Sequence, residues 1–442
     1  MSKTIAYASK RLPVILSGDV VVCGGGPAGA AAAIAAARSG AKVILLEQLG
    51  CLGGLGTAGI VPCFCPFSDG EKPVVRGIGE EVLIEMARRM KRPVNYDWMP
   101  IQPEILKAVY DDMVETAGPV LRLHTKVVDV VGKGRLNAVV ISTKGGLKAV
   151  AGKVFVDATG DGDVSTWAGA DFEVGGARGE TMGPSLCPTF AGIDWNAFDA
   201  NRRPGPRPDQ VIWMRHLKQG RAPIAEWHLA AGVLKVGRSI GSGNIGHVYG
   251  VSGLDEAGLT RGMVDGRRML WKFLDWYRRN VPGFRNAEMA ATASILGVRE
   301  TRRIVGDYVL NFDDYRARAS FPDEIGRLSY PVDIHSSTTR PKEQRAVEKR
   351  LRATSLAKGE SYGIPYRALV VRGLENLLVA GRCVSTDRAV QSSLRVMPGC
   401  FVTGQAAGVA AALAAKRHKG NVRSVDVSQL RSTLRSQNAY VP

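Results

Sequence analysis

A short β-branched run, Asp19-Val-Val-Val-Cys23, leads directly into Gly24-Gly-Gly-Pro-Ala-Gly29, and this junction constrains the fold more than any other feature of the chain. The run reads as a buried parallel strand, because apolar residues on both faces suit a strand covered on both sides. Gly24, Gly26 and Gly29 give the pattern G-x-G-x-x-G, with Pro27 and Ala28 between the last two glycines. Ala30 to Ser39 reads as a helix closed by Gly40, and Lys42 to Leu46 as a second strand with Glu47 at its end. Each part has a task in holding a dinucleotide. Gly24 permits the tight turn, Gly26 lets backbone approach a pyrophosphate, and Gly29 lets the helix pack on the strand. The free N–H groups and positive dipole end of the helix face the phosphates. Glu47 stands at the spacing where a carboxylate bonds ribose hydroxyls and repels a 2′-phosphate. Gly241-Ser-Gly-Asn-Ile-Gly246 also matches G-x-G-x-x-G, but His247-Val-Tyr-Gly250 is no helix start and no acid-tipped strand follows. No second nucleotide site is expected there.

The first motif alone does not separate FAD from NAD; later segments do. Glu47-Gln-Leu-Gly-Cys-Leu-Gly-Gly-Leu-Gly-Thr-Ala-Gly59 is rich in glycine, as needed where a flat ring slides past backbone. Val154-Phe-Val-Asp-Ala-Thr-Gly-Asp-Gly-Asp163 is an apolar strand ending in A-T-G-D, and Asp157 there also suits a turn or cap. Asn376-Leu-Leu-Val-Ala-Gly-Arg-Cys-Val-Ser385 is another apolar strand ending in glycine. Arg395-Val-Met-Pro-Gly-Cys-Phe-Val-Thr-Gly-Gln-Ala-Ala-Gly408 leads into an Ala-rich helix that runs to Lys416. In this order the segments resemble the two-dinucleotide-binding-domain flavoproteins, and among them the FAD-dependent oxidoreductase family that shares its FAD fold with fumarate reductase-type enzymes. The resemblance covers nearly the whole chain and is strongest at its two ends.

That resemblance implies FAD as cofactor. It places Glu47 and Gln48 by the ribose, and Gly53, Gly54 and Thr57 near the flavin. A backbone group at Val127 would meet adenine, and Ala158, Thr159, Gly160 and Asp161 would lie close to the dinucleotide. Gly381 and Arg382 belong to the last flavin signature. Gly404, Gln405 and Ala406 are expected flavin contacts, in a helix whose N-terminus would stabilise the anionic reduced ring. The implied architecture is α/β. A Rossmann-like FAD-binding domain of parallel sheet, helices and β-meander is split between residues 1–185 and 355–442. An inserted α+β substrate domain takes 186–354. The residues agree: Pro103 to Ala117 reads as a helix, and Leu121–His124, Val127–Val131, Leu136–Thr143 and Leu147–Asp157 as strands joined by Gly-containing turns. In the middle, a helix from Leu259 to Asn280 carries Leu259, Met263, Met269, Leu270 and Phe273 as a core stripe and stops at Pro282-Gly283.

Composition narrows the partners. The chain has 442 residues, 45% of them hydrophobic, enough for a large core. The net charge of +18 is spread along the chain with no basic run and no zinc-finger or RNA-binding signature, so nucleic acid is not an expected partner. An FAD-containing RNA-modifying protein and a flavin-binding protein without redox turnover are the alternatives to an oxidoreductase of small molecules. The seven cysteines are odd in number and scattered, which fits a reduced, cytoplasmic setting. Cys63-Phe64-Cys65 lacks the two-residue spacer of zinc and redox motifs, and Cys51 reads as a packed thiol, so no metal site is expected. Leu12 to Leu16 is too short for a secretory signal, and no apolar run reaches membrane-spanning length. A homodimer is expected only as the commonest assembly.

Leu296-Gly-Val-Arg-Glu-Thr-Arg-Arg-Ile-Val-Gly306 is similar to a further family segment. Arg299, Arg302 and Arg303 suit an anionic substrate or a pyrophosphate, and equally suit pairing with Glu300 and Asp307. Of six histidines, His247 and His335 sit in polar Gly- or Ser-rich loops and are the candidates for a catalytic base, with Arg299 as a third catalytic candidate. His124 and His418 read as structural. The reaction implied is hydride transfer between a small polar or anionic organic substrate and flavin N5. An external acceptor (oxygen, a quinone or a protein) would reoxidise the flavin.

Overall fold

The computed structural model describes residues 11–202, 204–224, 232–338, 340, 342, 343, 346, 349 and 354–442. Residues 1–10, before the Leu12 to Leu16 run, and His228 lie outside the described residues. The first βαβ unit forms as its sequence demands. Strand β1 (Val14–Cys23) passes through the turn at Gly24 into helix α1 (Pro27–Arg38), and the chain returns in β2 (Val43–Leu46). Pro27 is pre-set for the first helical turn, where its missing N–H costs nothing. Helix α2 (Pro103–Ala117) precedes β3 (Val120–Arg122), β4 (Lys126–Val131), β5 (Ala138–Thr143) and β6 (Gly146–Asp157). These strands build a seven-stranded sheet in the order β3-β2-β1-β6-β5-β4. The seventh, β13, is introduced below.

Strand β6 is long because it serves two neighbourhoods. From Ala149 to Asp157 it runs parallel to β1; on its other side its first half pairs antiparallel with β5 and its last three residues run parallel to β13. Val20, Val21 and Val22 are fully buried between parallel neighbours, which is why that run shows no polar alternation. Cys23 and Asp157 stand side by side at the carboxyl ends of β1 and β6, where open α/β sheets bind ligands.

The middle of the chain forms a second core. Strands β7 (Pro188–Ala191), β8 (Gly232–Lys235), β9 (Gly241–Asn244) and β10 (Glu288–Thr292) make a four-stranded antiparallel sheet in the order β8-β9-β7-β10. Helix α3 (Glu256–Asn280) is capped by Asp255, whose carboxylate accepts from Ala257 N and Gly258 N. It places Met269, Leu270 and Phe273 in this core, with Trp213, Phe190 and Phe284. Leu259 and Met263 are only partly buried, because the first turns of α3 run past the core. The second glycine pattern lies mostly in β9 and holds no helix start. Of the segment 186–354, residues up to Val298 build the second core, whereas Leu310, Tyr315, Ile325, Leu328, Tyr330 and Val332 pack into the first. Among these, β11 (Glu324–Leu328) pairs antiparallel with β12 (Tyr362–Pro365). Strand β13 (Leu377–Val379) then completes the large sheet, and helix α4 (Met397–Arg417) closes the first core.

Helix α4 is, among the described residues, the one helix long and apolar enough to cross a membrane, yet it is almost wholly buried within the protein. It packs on α1 through small residues. A Cβ on Gly404 would lie 2.2 Å from the carbonyl of Ala28, and one on Gly408 would lie 2.1 Å from that of Ala32. Both glycines therefore allow two backbones to touch, at four-residue spacing on both helices. Three residues expected at the flavin make other contacts in this structure. Gly404 meets α1. Gln405 accepts from Ile78 N (3.1 Å) and donates to Gln437 O (3.2 Å). Ala406 is fully buried in the core. None of the three lines the cleft described below, because the face of α4 that carries them is spent on helix packing. Gly408→Val forces the two backbones apart and costs about 3 kcal/mol, the upper part of the usual overpacking range. Thermal unfolding of the purified protein would show this as a clearly lowered midpoint; a native midpoint would mean that the helices separate freely.

Candidate active site

A cleft of about 410 Å³ opens at the carboxyl ends of β1, β2, β6 and β13. Fourteen of the residues expected at the cofactor line it: Gly24, Gly26, Pro27, Ala28, Glu47, Gln48, Gly54, Val127, Ala158, Thr159, Gly160, Asp161, Gly381 and Arg382. Gly29, Gly53 and Thr57 stand behind the lining. A Cβ on Gly29 would lie 1.8 Å from the carbonyl of Gly24, so this glycine permits the turn and does not face the cleft. Gly53 has φ +94° and is closed in by Tyr110, while Thr57 donates to Leu52 O at 2.5 Å and holds the loop.

Three further parts of the lining were not among the residues expected at the cofactor. Leu259 and Met263 come from the first turns of α3, and Ser294, Ile295, Leu296 and Val298 from the strand-to-loop segment after β10. Arg395, Met397 and Cys400 come from the start of α4, one to two turns before the residues expected there. The second core thus forms one wall of the cleft.

Local hydrogen bonds set the lining. Glu47 is buried and its two oxygens accept from Gly25 N (2.6 Å) and Leu49 N (2.7 Å), which pins the glycine turn to the end of β2. Burial raises its pKa, and the backbone N–H groups oppose that rise. Glu47→Gln leaves one of these donors without an oxygen acceptor and costs about 1–3 kcal/mol. FAD release on mild heating is expected to begin at lower temperature in this variant, and identical release curves would contradict the pinning role. Asp157 is a cap: it accepts from Thr159 N and Oγ1 and from Ser165 N and Oγ. Arg382 ties the A-T-G-D turn to its surroundings through Gly160 O (2.9 Å), Val298 O (2.6 Å) and Asp161 Oδ1 (2.5 Å).

The three catalytic candidates lie together, off the cleft lining but joined to it. His247 Nε2 and His335 Nδ1 are 2.8 Å apart, and His335 Nε2 is 3.3 Å from Asp333 Oδ2. Arg395, which lines the cleft, donates to the same Asp333 oxygen at 3.0 Å, and Tyr330 OH does so at 3.3 Å. Both histidines are buried. Burial first, then Arg299, pushes His335 well below its ordinary pKa, so it is neutral at physiological pH. Burial would raise Asp333, but His335, Arg395 and Arg299 outweigh it and hold the carboxyl ionised.

Arg299 is not placed to clamp a substrate. Its terminal nitrogens are engaged by Gly183 O (2.7 Å), Ser185 Oγ (3.1 Å) and Asn244 Oδ1 (3.1 Å), so it works as a strut that also lowers the pKa of His335. Arg302 and Arg303 are likewise structural: Arg302 pairs with Asp163, and Arg303 with Glu300 and Glu173. Asp307 pairs with Arg423 instead. Cys63 is buried, and burial pushes the thiol of its neighbour Cys65 up to about 12. Cys51 Sγ donates to Thr57 Oγ1, at 3.8 Å. His124 packs its ring on Gly50. Asp333 was missed because it stands alone in a loop, in no motif.

A Rossmann-type glycine turn, a ribose-side acid and an A-T-G-D turn around one cleft define a dinucleotide-binding flavoprotein. The chain belongs to the FAD dependent oxidoreductase family, whose model matches residues 19–434, and it is an enzyme whose cofactor is FAD. No curated protein matches the chain. Among solved structures it is similar to a geranylgeranyl bacteriochlorophyll reductase-like protein from Thermoplasma acidophilum, with 14% identity over 95% of this chain and 83% of that one and a TM-score of 0.46. It is also similar to a p-nitrophenol 4-monooxygenase from Pseudomonas putida, with 12% identity over 96% and 85% of the two chains and a TM-score of 0.43.

The residues present fit FAD. The first turn of α1 has no side-chain cap and no acidic residue, so its N–H groups are left for an anion. A Cβ on Gly26 would meet nothing within 4 Å, so this glycine faces open cleft. Arg395 Nε is buried without a hydrogen-bond partner at the opposite wall.

Proposed function

We propose that the protein transfers hydride between a small polar or anionic organic substrate and FAD, which an external acceptor reoxidises. The observation that carries this reading is the chain His247–His335–Asp333–Arg395, which runs from two buried histidines to the cleft. FAD, when bound, supplies the two-electron acceptor. Gly24, Gly26, Pro27, Glu47, Val127 and the turn at Ala158 to Asp161 would hold its dinucleotide part. Arg395 offers a cation to substrate or flavin at the start of α4, and the histidine pair takes the proton that substrate oxidation releases. Leu259 and Met263 restrict water at the wall formed by the second core. The division proposed for the chain follows from this use: residues 1–185 and 355–442 hold the cofactor, and much of 186–354 shapes the substrate side. Seven free cysteines suit a reduced, cytoplasmic setting.

The test is anaerobic. The purified yellow protein is mixed in turn with hydroxy acids, amino acids and their neutral analogues, and flavin absorbance is followed. Bleaching by a polar or anionic member of the set is expected. Bleaching only by nicotinamide nucleotides, or by apolar compounds alone, would overturn the substrate reading.

A further inference from the structure

The wall that the second core lends to the cleft offers a ligand apolar surface and little else. Leu259 and Met263 stand one helical turn apart on α3, and Ile295, Leu296 and Val298 complete that side of the lining. Ser294 is the one side chain of this wall that can hydrogen-bond, and it is exposed. The wall is firmly built. A Cβ on Gly262 would lie 2.7 Å from Leu296 Cδ2, so the missing side chain lets Leu296 seat against the helix. Two hydrogen bonds fix the wall to segments of the cofactor side: Ser294 N donates to Ala58 O at 2.9 Å, and Arg382 Nη1 donates to Val298 O at 2.6 Å. Leu259 and Met263 are only partly buried, so apolar surface is left on them to cover. The groups expected to hold the dinucleotide, from Gly26 and Glu47 to the turn at Asp161, belong instead to the large sheet and its turns.

A substrate made only of polar groups would leave them without partners against this wall. An apolar body is instead desolvated together with it, which favours binding in proportion to the area covered. We infer that Leu259 and Met263 are specificity-determining residues that hold an apolar body of the substrate, which makes the substrate class an organic acid with an alkyl chain rather than a short polar acid. The acid group rests on the reading of the site under Proposed function, in which Arg395 supplies the cation; the apolar body rests on the wall itself. Leu259 and Met263 are four residues apart, about 6 Å along the helix axis, a length that a chain of about four to six carbons covers. Both side chains project from a helix whose later turns are anchored in the second core through Met269, Leu270 and Phe273, so the wall is a fixed surface against which chain length is measured.

The experiment titrates FAD-loaded protein with unreactive straight-chain monocarboxylates, from acetate to octanoate, by calorimetry. The dissociation constant is expected to fall about two- to fourfold for each added methylene until the wall is covered. The heat-capacity change of binding should become more negative along the series, the mark of apolar burial. In Leu259→Gln/Met263→Gln the dependence on chain length should vanish, while flavin content stays stoichiometric. Binding that ignores chain length in the native protein, or no binding by any member, overturns the inference. A double variant that sheds FAD and, once reloaded, keeps the native dependence also overturns it, because the wall then serves the cofactor. If the double variant does not fold, Met263→Gln alone decides: a reduced dependence is expected, and an unchanged one counts against the role. Calorimetry needs no turnover, so the two readings fail separately. Chain-length-dependent binding in a protein that no hydroxy acid or amino acid bleaches upholds the wall and counts against the redox reading. Bleaching by the shortest polar acids, with binding indifferent to chain length, removes the inference alone.

Discussion

Replacing Gly26 by valine should give a folded protein that is colourless after purification. The backbone at Gly26 is extended (φ −65°, ψ −175°), a conformation open to any residue, and a Cβ built there meets no atom within 4 Å. The variant therefore strains nothing in the protein itself. Its side chain would stand in the cleft, beside the uncapped first turn of α1. Loss of two charge-assisted N–H contacts to a phosphate, about 1.5–3 kcal/mol each, weakens FAD by at least a hundredfold, roughly speaking. The comparison with Gly29 sharpens the test. Gly29→Val would drive a Cβ into the carbonyl of Gly24, 1.8 Å away, and should disrupt the turn itself. Circular dichroism and thermal unfolding should thus separate a folded Gly26→Val protein from a damaged Gly29→Val protein. A Gly26→Val protein that retains stoichiometric flavin would show that the pyrophosphate does not pass this glycine.

That contrast shows where the sequence was informative. The glycines of the first turn were legible because strand, loop, helix and acid follow one another within sixty residues, so the local pattern already contains the geometry. The strands of the meander were legible for a similar reason: alternation and Gly-containing turns place Val127 in a strand, and the family resemblance implied its place at the cleft. Helix α4 was harder. A glycine within a helix signals that something approaches closely, but not what. At Gly404 and Gly408 the approaching group is the backbone of α1. The apolar stripe of α3 read correctly as core over Met269 to Phe273, yet its first two members lie beyond the core's edge and line the cleft. Asp333 carried no signal at all. Its partners His247, Arg395 and Tyr330 come together only in the tertiary structure, and a lone aspartate in a loop reads as solvated.

His247→Gln should slow flavin reduction by about 10²–10⁴-fold, the usual contribution of a positioned base, while leaving flavin content and the visible spectrum unchanged. Glutamine keeps an N–H near the place of Nε2, so the contact with His335 Nδ1 survives and packing changes little. It has no basic nitrogen, so the proton acceptor is gone. The pH dependence in the native protein follows from the neighbours. Burial and the Arg299 cation depress His335, so that ring stays neutral as pH falls below the ordinary histidine range near 6.5. Reduction should therefore hold its rate as pH falls through the ordinary histidine range and fall only in more acidic buffer. Arg299→Gln removes that cation, which raises the pKa of His335 and moves the acid limb toward neutral pH. Rapid-mixing measurements of flavin bleaching across this range would check both. An acid limb that Arg299→Gln leaves in place would mean that the histidine pair does not take the proton.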